Sequence, residues 1–182
     1  MEIKILDLHL KGALRNLRDS TNSNKGVVAA CLISLPTRWV YATSERTDEG
    51  KYVHAERNAL SKYLREYGDP LPNSVMITSI SPCKYESKSR AGCSCIDLLL
   101  GKDKDFKDYG IRRLHAGILD NNSRNLVSYS DLGFDISVSE KPSIELACSN
   151  LREYFNPEIR GKVNIQEFIE NALKGNGQIK AI

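Results

Sequence analysis

Three stretches decide how this chain is read: His54-Ala55-Glu56-Arg57-Asn58-Ala59-Leu60, Ile80-Ser81-Pro82-Cys83, and Cys93-Ser94-Cys95-Ile96-Asp97-Leu98-Leu99-Leu100. The first opens a helical pattern over residues 54 to 67, with Ala55, Ala59, Leu60, Tyr63 and Leu64 on one face and Gly68-Asp69-Pro70 as its stop. The second ends an apolar, β-rich run from Val75 to Ile80. The third leads into a short buried helix over residues 96 to 100. An imidazole and two or three thiols thus sit at the ends of regular elements. One nitrogen and two sulfurs suit zinc, and three protein ligands leave the fourth tetrahedral position open, as catalysis requires. Glu56 projects from the same first helical turn as His54 and can carry a proton to and from water without being a ligand.

Working outward, Ile3, Leu6, Leu10, Ala13, Leu14 and Leu17 form the apolar stripe of a helix over residues 3 to 19. Val27 to Leu35 and Trp39 to Thr43 read as two strands joined through Pro36-Thr37-Arg38, followed by a charged loop from Ser44 to Lys51. Beyond the third stretch, Ile111 to Leu119 and Phe134 to Val138 read as strands, and residues 143 to 155 and 164 to 173 as closing helices carrying Leu146, Leu151, Phe155, Phe168, Ile169 and Leu173. Helices interleaved with strands in the order α-β-β-α-β-α-β-β-α-α predict an α/β fold, one sheet covered by helices. The expected organisation is a domain over residues 1–142 with a C-terminal helical extension, 143–182, packed on it.

The bulk numbers agree with one globular domain: 182 residues, 41% hydrophobic and 27% charged. Lys and Arg total 26 against 23 Asp and Glu, a net charge of +3 that lacks the overall footprint of a nucleic-acid binder. The longest apolar runs, Val27 to Ser34 and Ile96 to Leu100, fall far short of the roughly 18 residues of a membrane helix. The N-terminus alternates charged and apolar residues and lacks a signal-peptide core, so a cytoplasmic location without membrane association is expected. Five cysteines, with Cys83, Cys93 and Cys95 crowded together, are unlike a disulfide framework and fit metal chemistry in a reducing compartment. Cys31 and Cys148, in apolar surroundings, read as small buried hydrophobes.

His-x-Glu followed by Pro-Cys and a further cysteine resembles the zinc-deaminase signature of the cytidine and deoxycytidylate deaminase superfamily, over roughly residues 1 to 140. The resemblance implies a three-layer α/β/α sandwich of the cytidine-deaminase type around a mixed sheet of about five strands. It implies Zn2+ held by His54, Cys83 and Cys95, with Cys93 as the alternative to Cys95, and Glu56 as the catalytic proton carrier. Water activated there would attack C4 of a cytosine-type base of a free nucleoside or nucleotide, and ammonia would leave. Relatives share active-site walls between subunits, which implies a homo-oligomer. The alternatives are a deaminase of single-stranded DNA or RNA, which the histidine form of the motif and a basic insertion favour, and a non-catalytic zinc module, which Glu56 disfavours.

The chain departs from the family in two places. The family has two residues between its cysteines, whereas nine separate Cys83 from Cys93 and eleven separate it from Cys95. Counting from Cys95, the positions that face the core in the family are Ile96, Leu99 and Leu100; from Cys93 they are Ser94, Asp97 and Leu98, so the apolar stripe favours Cys95. Free-cytidine deaminases place an asparagine and a glutamate 11 and nine residues before the first ligand; here these offsets fall on Thr43 and Glu45, of which only the glutamate matches. Thr43, Glu45, Ala55 and Ser81 are the substrate-side candidates. The insertion carries Lys84, Lys88 and Arg90 against Glu86 and is read either as a phosphate contact or, more simply, as a solvated loop. His115, His9 and Trp39 are read as packing or satisfied residues, and the alternating Lys102, Asp103, Lys104, Asp105, Lys107 and Asp108 as a solvated loop.

Overall fold

Alternation along one strand sets the layering. In the computed structural model, which describes residues 2–20, 25–35, 37–85, 91–120, 127–153 and 164–174, strand β1 (Lys25–Leu35) is buried on both faces. Its Ala29, Cys31 and Ile33 join one apolar core, while Ala30 and Leu32 join another. Strand β4 (Val75–Ile80) repeats the split, with Val75 and Ile77 on the first side and Met76 on the second. Side chains two apart share a face, so each central strand feeds two cores and needs cover on both sides.

Helix α1 (Ile3–Asp19) covers the first face through Leu6, Leu10, Ala13, Leu14 and Leu17. Helices α4 (Pro142–Glu153) and α5 (Ile165–Leu173) share that core through Ile144, Ala147, Cys148 and Leu151, and through Ile169 and Ala172. Helices α2 (Ala55–Tyr67) and α3 (Cys95–Leu99) cover the second face through Ala55, Ala59, Leu60 and Tyr63, and through Ile96, Leu98 and Leu99. The result is an α/β/α sandwich of the architecture the sequence predicts. Phe155 lies outside the described residues.

The sheet adds β2 (Arg38–Arg46), β3 (Tyr52–Val53), β5 (Arg113–Ile118) and β6 (Asp135–Val138), in the order β3-β2-β1-β4-β5-β6. β1 runs antiparallel to β2 and β4, β2 antiparallel to β3, and β4, β5 and β6 run parallel. The described sheet thus has six strands where about five were expected. The difference is β3, which lies just beyond the stretch from Ser44 to Lys51 read as a charged loop. β2 continues to Arg46, and Glu45 and Arg46 pair with Val53 and Tyr52 around a turn closed by Thr47 and Gly50, the latter at φ +77°. Charged side chains suit an exposed sheet edge, so composition there concealed a strand.

The residues read as packing do pack. Cys31 and Cys148 are fully buried, and burial pushes both thiols up. His115 is buried on β5, with Nε2 3.1 Å from Asp7 of α1 and Nδ1 2.9 Å from Ser137 Oγ of β6; burial pushes its imidazole down. His9 meets Trp39 edge to face, with ring centroids 5.2 Å apart. Among the described residues no helix is long and apolar enough to cross a membrane.

Helix α4 crosses β5 at Gly117, where an added Cβ would lie 2.2 Å from Cys148 Sγ and 2.8 Å from the Ser79 carbonyl. Gly117→Ala is expected to destabilise the fold by about 1–3 kcal/mol through overpacking. Adding Cys148→Ala should recover part of that loss. Urea unfolding of the single and double variants checks whether α4 sits on the sheet at this point; additive losses would place it elsewhere.

Candidate metal centre

β3 delivers the chain to His54, whose extended backbone (φ −72°, ψ 151°) makes it the residue that caps α2. Its imidazole therefore stands at the mouth of the first helical turn, with Glu56 on that turn behind it. Cys83 follows the carboxyl end of β4 through Ser81-Pro82, and this segment is fastened to β5: Ser81 N–H donates to the Ile118 carbonyl (3.0 Å), and Ser81 Oγ accepts from Asp120 N–H (2.9 Å). Cys95 is the first residue of α3. Ser94 caps that helix, accepting from Asp97 N–H at 3.1 Å and donating to Asp97 Oδ2 at 2.8 Å. The start of α3 is docked directly on Cys83: Cys95 N–H donates to Cys83 Sγ (3.2 Å) and Ile96 N–H to the Cys83 carbonyl (3.1 Å).

These constraints bring the donors of His54, Cys83 and Cys95 within 4.8 Å of one another. His54 Nδ1 lies 3.2 Å from Cys95 Sγ and 3.6 Å from Cys83 Sγ. Tetrahedral zinc with ordinary Zn–S and Zn–N lengths separates nitrogen from sulfur by about 3.6 Å. The donor set and its spacing fit zinc. Glu56 supplies an independent sign: it is 2% exposed, and Oε2 makes no hydrogen bond among the described residues. Burial pushes its carboxyl up, opposed chiefly by the neighbouring His54. A buried carboxylate oxygen without a hydrogen bond is costly, and this one lies beside the three-donor cluster.

Cys93 stands apart. Its thiol donates to Asp103 Oδ2 (3.1 Å) and is pushed up to about 11, first by burial and then by Asp103. Asp103 also pairs with Arg57, the residue after Glu56, and the two side chains are 3% and 14% exposed. Arg57 stacks on Phe106 with its guanidinium carbon 5.1 Å from the ring centroid, and it roofs Gly92 so closely that a Cβ there would fall 2.3 Å from the guanidinium. Gly92 takes φ +91° beneath it, and Ala91 N–H donates to the Tyr52 carbonyl of β3 (2.9 Å). The Lys/Asp stretch is therefore not simply solvated. Asp103 is buried in this clamp, Lys102 pairs with Asp97, Lys107 with Asp69, and Arg112 with Asp108. The alternating charges concealed the clamp because Arg57 lies 46 positions from Asp103.

The substrate-side candidates take different places. Ala55 is buried beside His54. Thr43 is buried, and its carbonyl accepts from Asn58 Nδ2 (2.8 Å), tying β2 to α2. Glu45 is exposed and pairs in register with Val53, the residue before His54. Ser81 fastens β4 to β5 as described. Sequence reasoning missed Tyr129, a buried residue whose hydroxyl donates to the Pro82 carbonyl (2.6 Å). Burial raises its phenol to about 12, and the charges of Cys83 and Glu56 also act on it. A single aromatic in an irregular segment carries no periodic signal. Lys88, Arg90 and Glu86 lie outside the described residues.

Comparison with known proteins agrees with this geometry: residues 4–102 match the family described as the cytidine and deoxycytidylate deaminase zinc-binding region. The chain belongs to that family. No curated protein matches it in sequence. A diaminohydroxyphosphoribosylaminopyrimidine deaminase/5-amino-6-(5-phosphoribosylamino)uracil reductase from Thermotoga maritima superposes with a TM-score of 0.60 at 18% identity, covering 86% of this chain and 42% of that one. The family member thus spans about two-fifths of that two-activity protein. The Rib2 deaminase of Aspergillus oryzae superposes at 0.55 with 20% identity, covering 93% and 99% of the two chains. The dCMP deaminase of cyanophage S-TIM5 superposes at 0.51 with 16% identity, covering 76% and 100%. At such identities the likeness is one of fold.

The separation of the two thiols gives a direct test. Cys95→Ala should purify without stoichiometric zinc, whereas Cys93→Ala should keep one zinc per chain by elemental analysis. The reverse pattern would make Cys93 the ligand.

Proposed function

We propose that the protein is a zinc-dependent hydrolytic deaminase that acts on a cytosine-type base of a free nucleoside or nucleotide. The observation that carries this is Glu56, fully enclosed, with a carboxylate oxygen unpartnered among the described residues beside a three-donor cluster. A closed structural site has no use for such a group. His54, Cys83 and Cys95 are the residues that would hold the metal. Zinc, when bound, supplies a Lewis acid that makes water nucleophilic near neutral pH.

Glu56 does the proton work. Its carboxylate takes one proton from the attacking water and gives it to the ring nitrogen, then carries the second, from the newly formed hydroxyl, to the departing amino group, so that a C–O bond forms and becomes C=O, the C–N bond breaks and ammonia leaves. Burial pushes the Glu56 carboxyl up, opposed chiefly by the neighbouring His54. Tyr129 is hydrogen-bonded to Pro82, the residue before Cys83, and the docked start of α3 holds the two thiols in place. A small substrate fits the charge pattern, because Arg57, Lys102, Lys107 and Arg112 are each occupied by an aspartate. In support, a structure of the cyanophage enzyme of similar fold holds dCMP and dUMP.

Ammonia release from cytosine, cytidine, deoxycytidine, their monophosphates, guanine and single-stranded DNA and RNA tests the reading. Turnover is expected with a cytosine nucleoside or nucleotide, nearly independent of salt, and Glu56→Ala should lose about 10²–10⁴-fold while retaining zinc. Equal activity in both proteins would refute the role of Glu56. Inactivity on the whole panel, with melting that collapses on chelation, would show a structural zinc module instead.

A further inference from the structure

Lys84 follows Cys83 directly, so the bonds that fix the cysteine also fix where this lysine begins. Its ammonium donates to the Val127 carbonyl and lies 4.3 Å from the centroid of the Tyr129 ring. Tyr129 is the same residue that reaches Pro82 and senses the charges of Cys83 and Glu56. The lysine, half-buried and directly after Cys83, therefore lies on the aromatic ring that those charges reach. Among the described residues no carboxylate lies within ion-pair distance of it, and Asp131 acts on it only at longer range.

That isolation sets Lys84 apart from the aspartate-paired cations nearby. A carbonyl and an aromatic face attract an ammonium without neutralising it. A half-buried cation with no carboxylate in ion-pair reach among the described residues gains from an anion that arrives with the substrate, through a charge-assisted hydrogen bond. One such lysine is a compact point charge suited to a single phosphate group. A polynucleotide track would need several such cations in a row.

We propose that Lys84 binds the phosphate of a nucleoside monophosphate, making the phosphorylated nucleoside the preferred substrate over the free nucleoside. The inference rests on the deaminase reading above and narrows its substrate class. If Lys84 served only to hold the Val127 turn over Tyr129, its loss would affect nucleoside and nucleotide alike.

The test compares wild type, Lys84→Gln and Lys84→Arg on deoxycytidine and deoxycytidine monophosphate. The ratio of kcat/KM for the monophosphate over the nucleoside should fall about tenfold or more in Lys84→Gln, through KM, and Lys84→Arg should restore most of it. An unchanged ratio would overturn the proposal. Calorimetric titration with ribose 5-phosphate reads the same contact without a base: wild type should bind it and Lys84→Gln should bind about tenfold more weakly. Equal binding, or none by wild type, overturns the proposal whatever the turnover. Discrimination in this titration with no cytosine compound turned over would instead refute the deaminase reading and keep the anion site. A loss confined to a single-stranded oligonucleotide, with the monophosphate unaffected, would overturn the assignment to a free nucleotide.

Discussion

The docking of α3 on Cys83 is the constraint on which the rest depends. Two backbone N–H groups at the start of one short helix meet the sulfur and the carbonyl of a residue at the end of the central strand β4. The same two bonds place Cys95, the first residue of α3, beside Cys83, and the apolar side of α3 then turns Ile96, Leu98 and Leu99 into the core shared with α2. Once α2 is held there, its capping residue His54 completes the donor set, and Glu56 is enclosed behind it. Packing and chemistry are one problem at this point, because moving α3 would open the core and separate the thiols together.

The long connection between Cys83 and Cys95 lengthens the path between two residues that must end side by side. Its closing end is fastened by the Arg57–Asp103 pair, the Cys93 thiol on Asp103, the passage of Gly92 under the guanidinium and the Ala91 bond to β3. Arg57 stands next to Glu56 in sequence, so the clamp and the buried carboxylate share one helical turn. A buried ion pair with a second hydrogen bond on the carboxylate tolerates little displacement, since either partner left alone would be an uncompensated buried charge. The clamp thus ties Gly92 and Cys93 to the helix that carries Glu56.

What the sequence made legible follows from how local each signal is. His54, Glu56 and Cys83 announce themselves through residue type at element ends, and the periodicity of α1, α2 and β1 foretells which side chains enter which core. The thiol that the apolar stripe favoured, Cys95, is the one beside His54, whereas Cys93 turns to Asp103. The strand β3 escaped notice because two residues are too few to show an alternation, and pairing is a property of two segments. Arg57–Asp103, His115–Asp7 and Tyr129–Pro82 escaped for the same reason: each joins residues at least 46 positions apart, and no window along the chain contains both partners.

The central claim is an open three-ligand zinc site built from one imidazole and two thiolates. X-ray absorption at the zinc edge of the purified protein tests it most directly. The account predicts one zinc per chain with two sulfurs at about 2.3 Å and two light donors at about 2.0–2.1 Å, one from His54 and one from outside the chain. Three sulfurs in the shell, or no zinc at all, would contradict it.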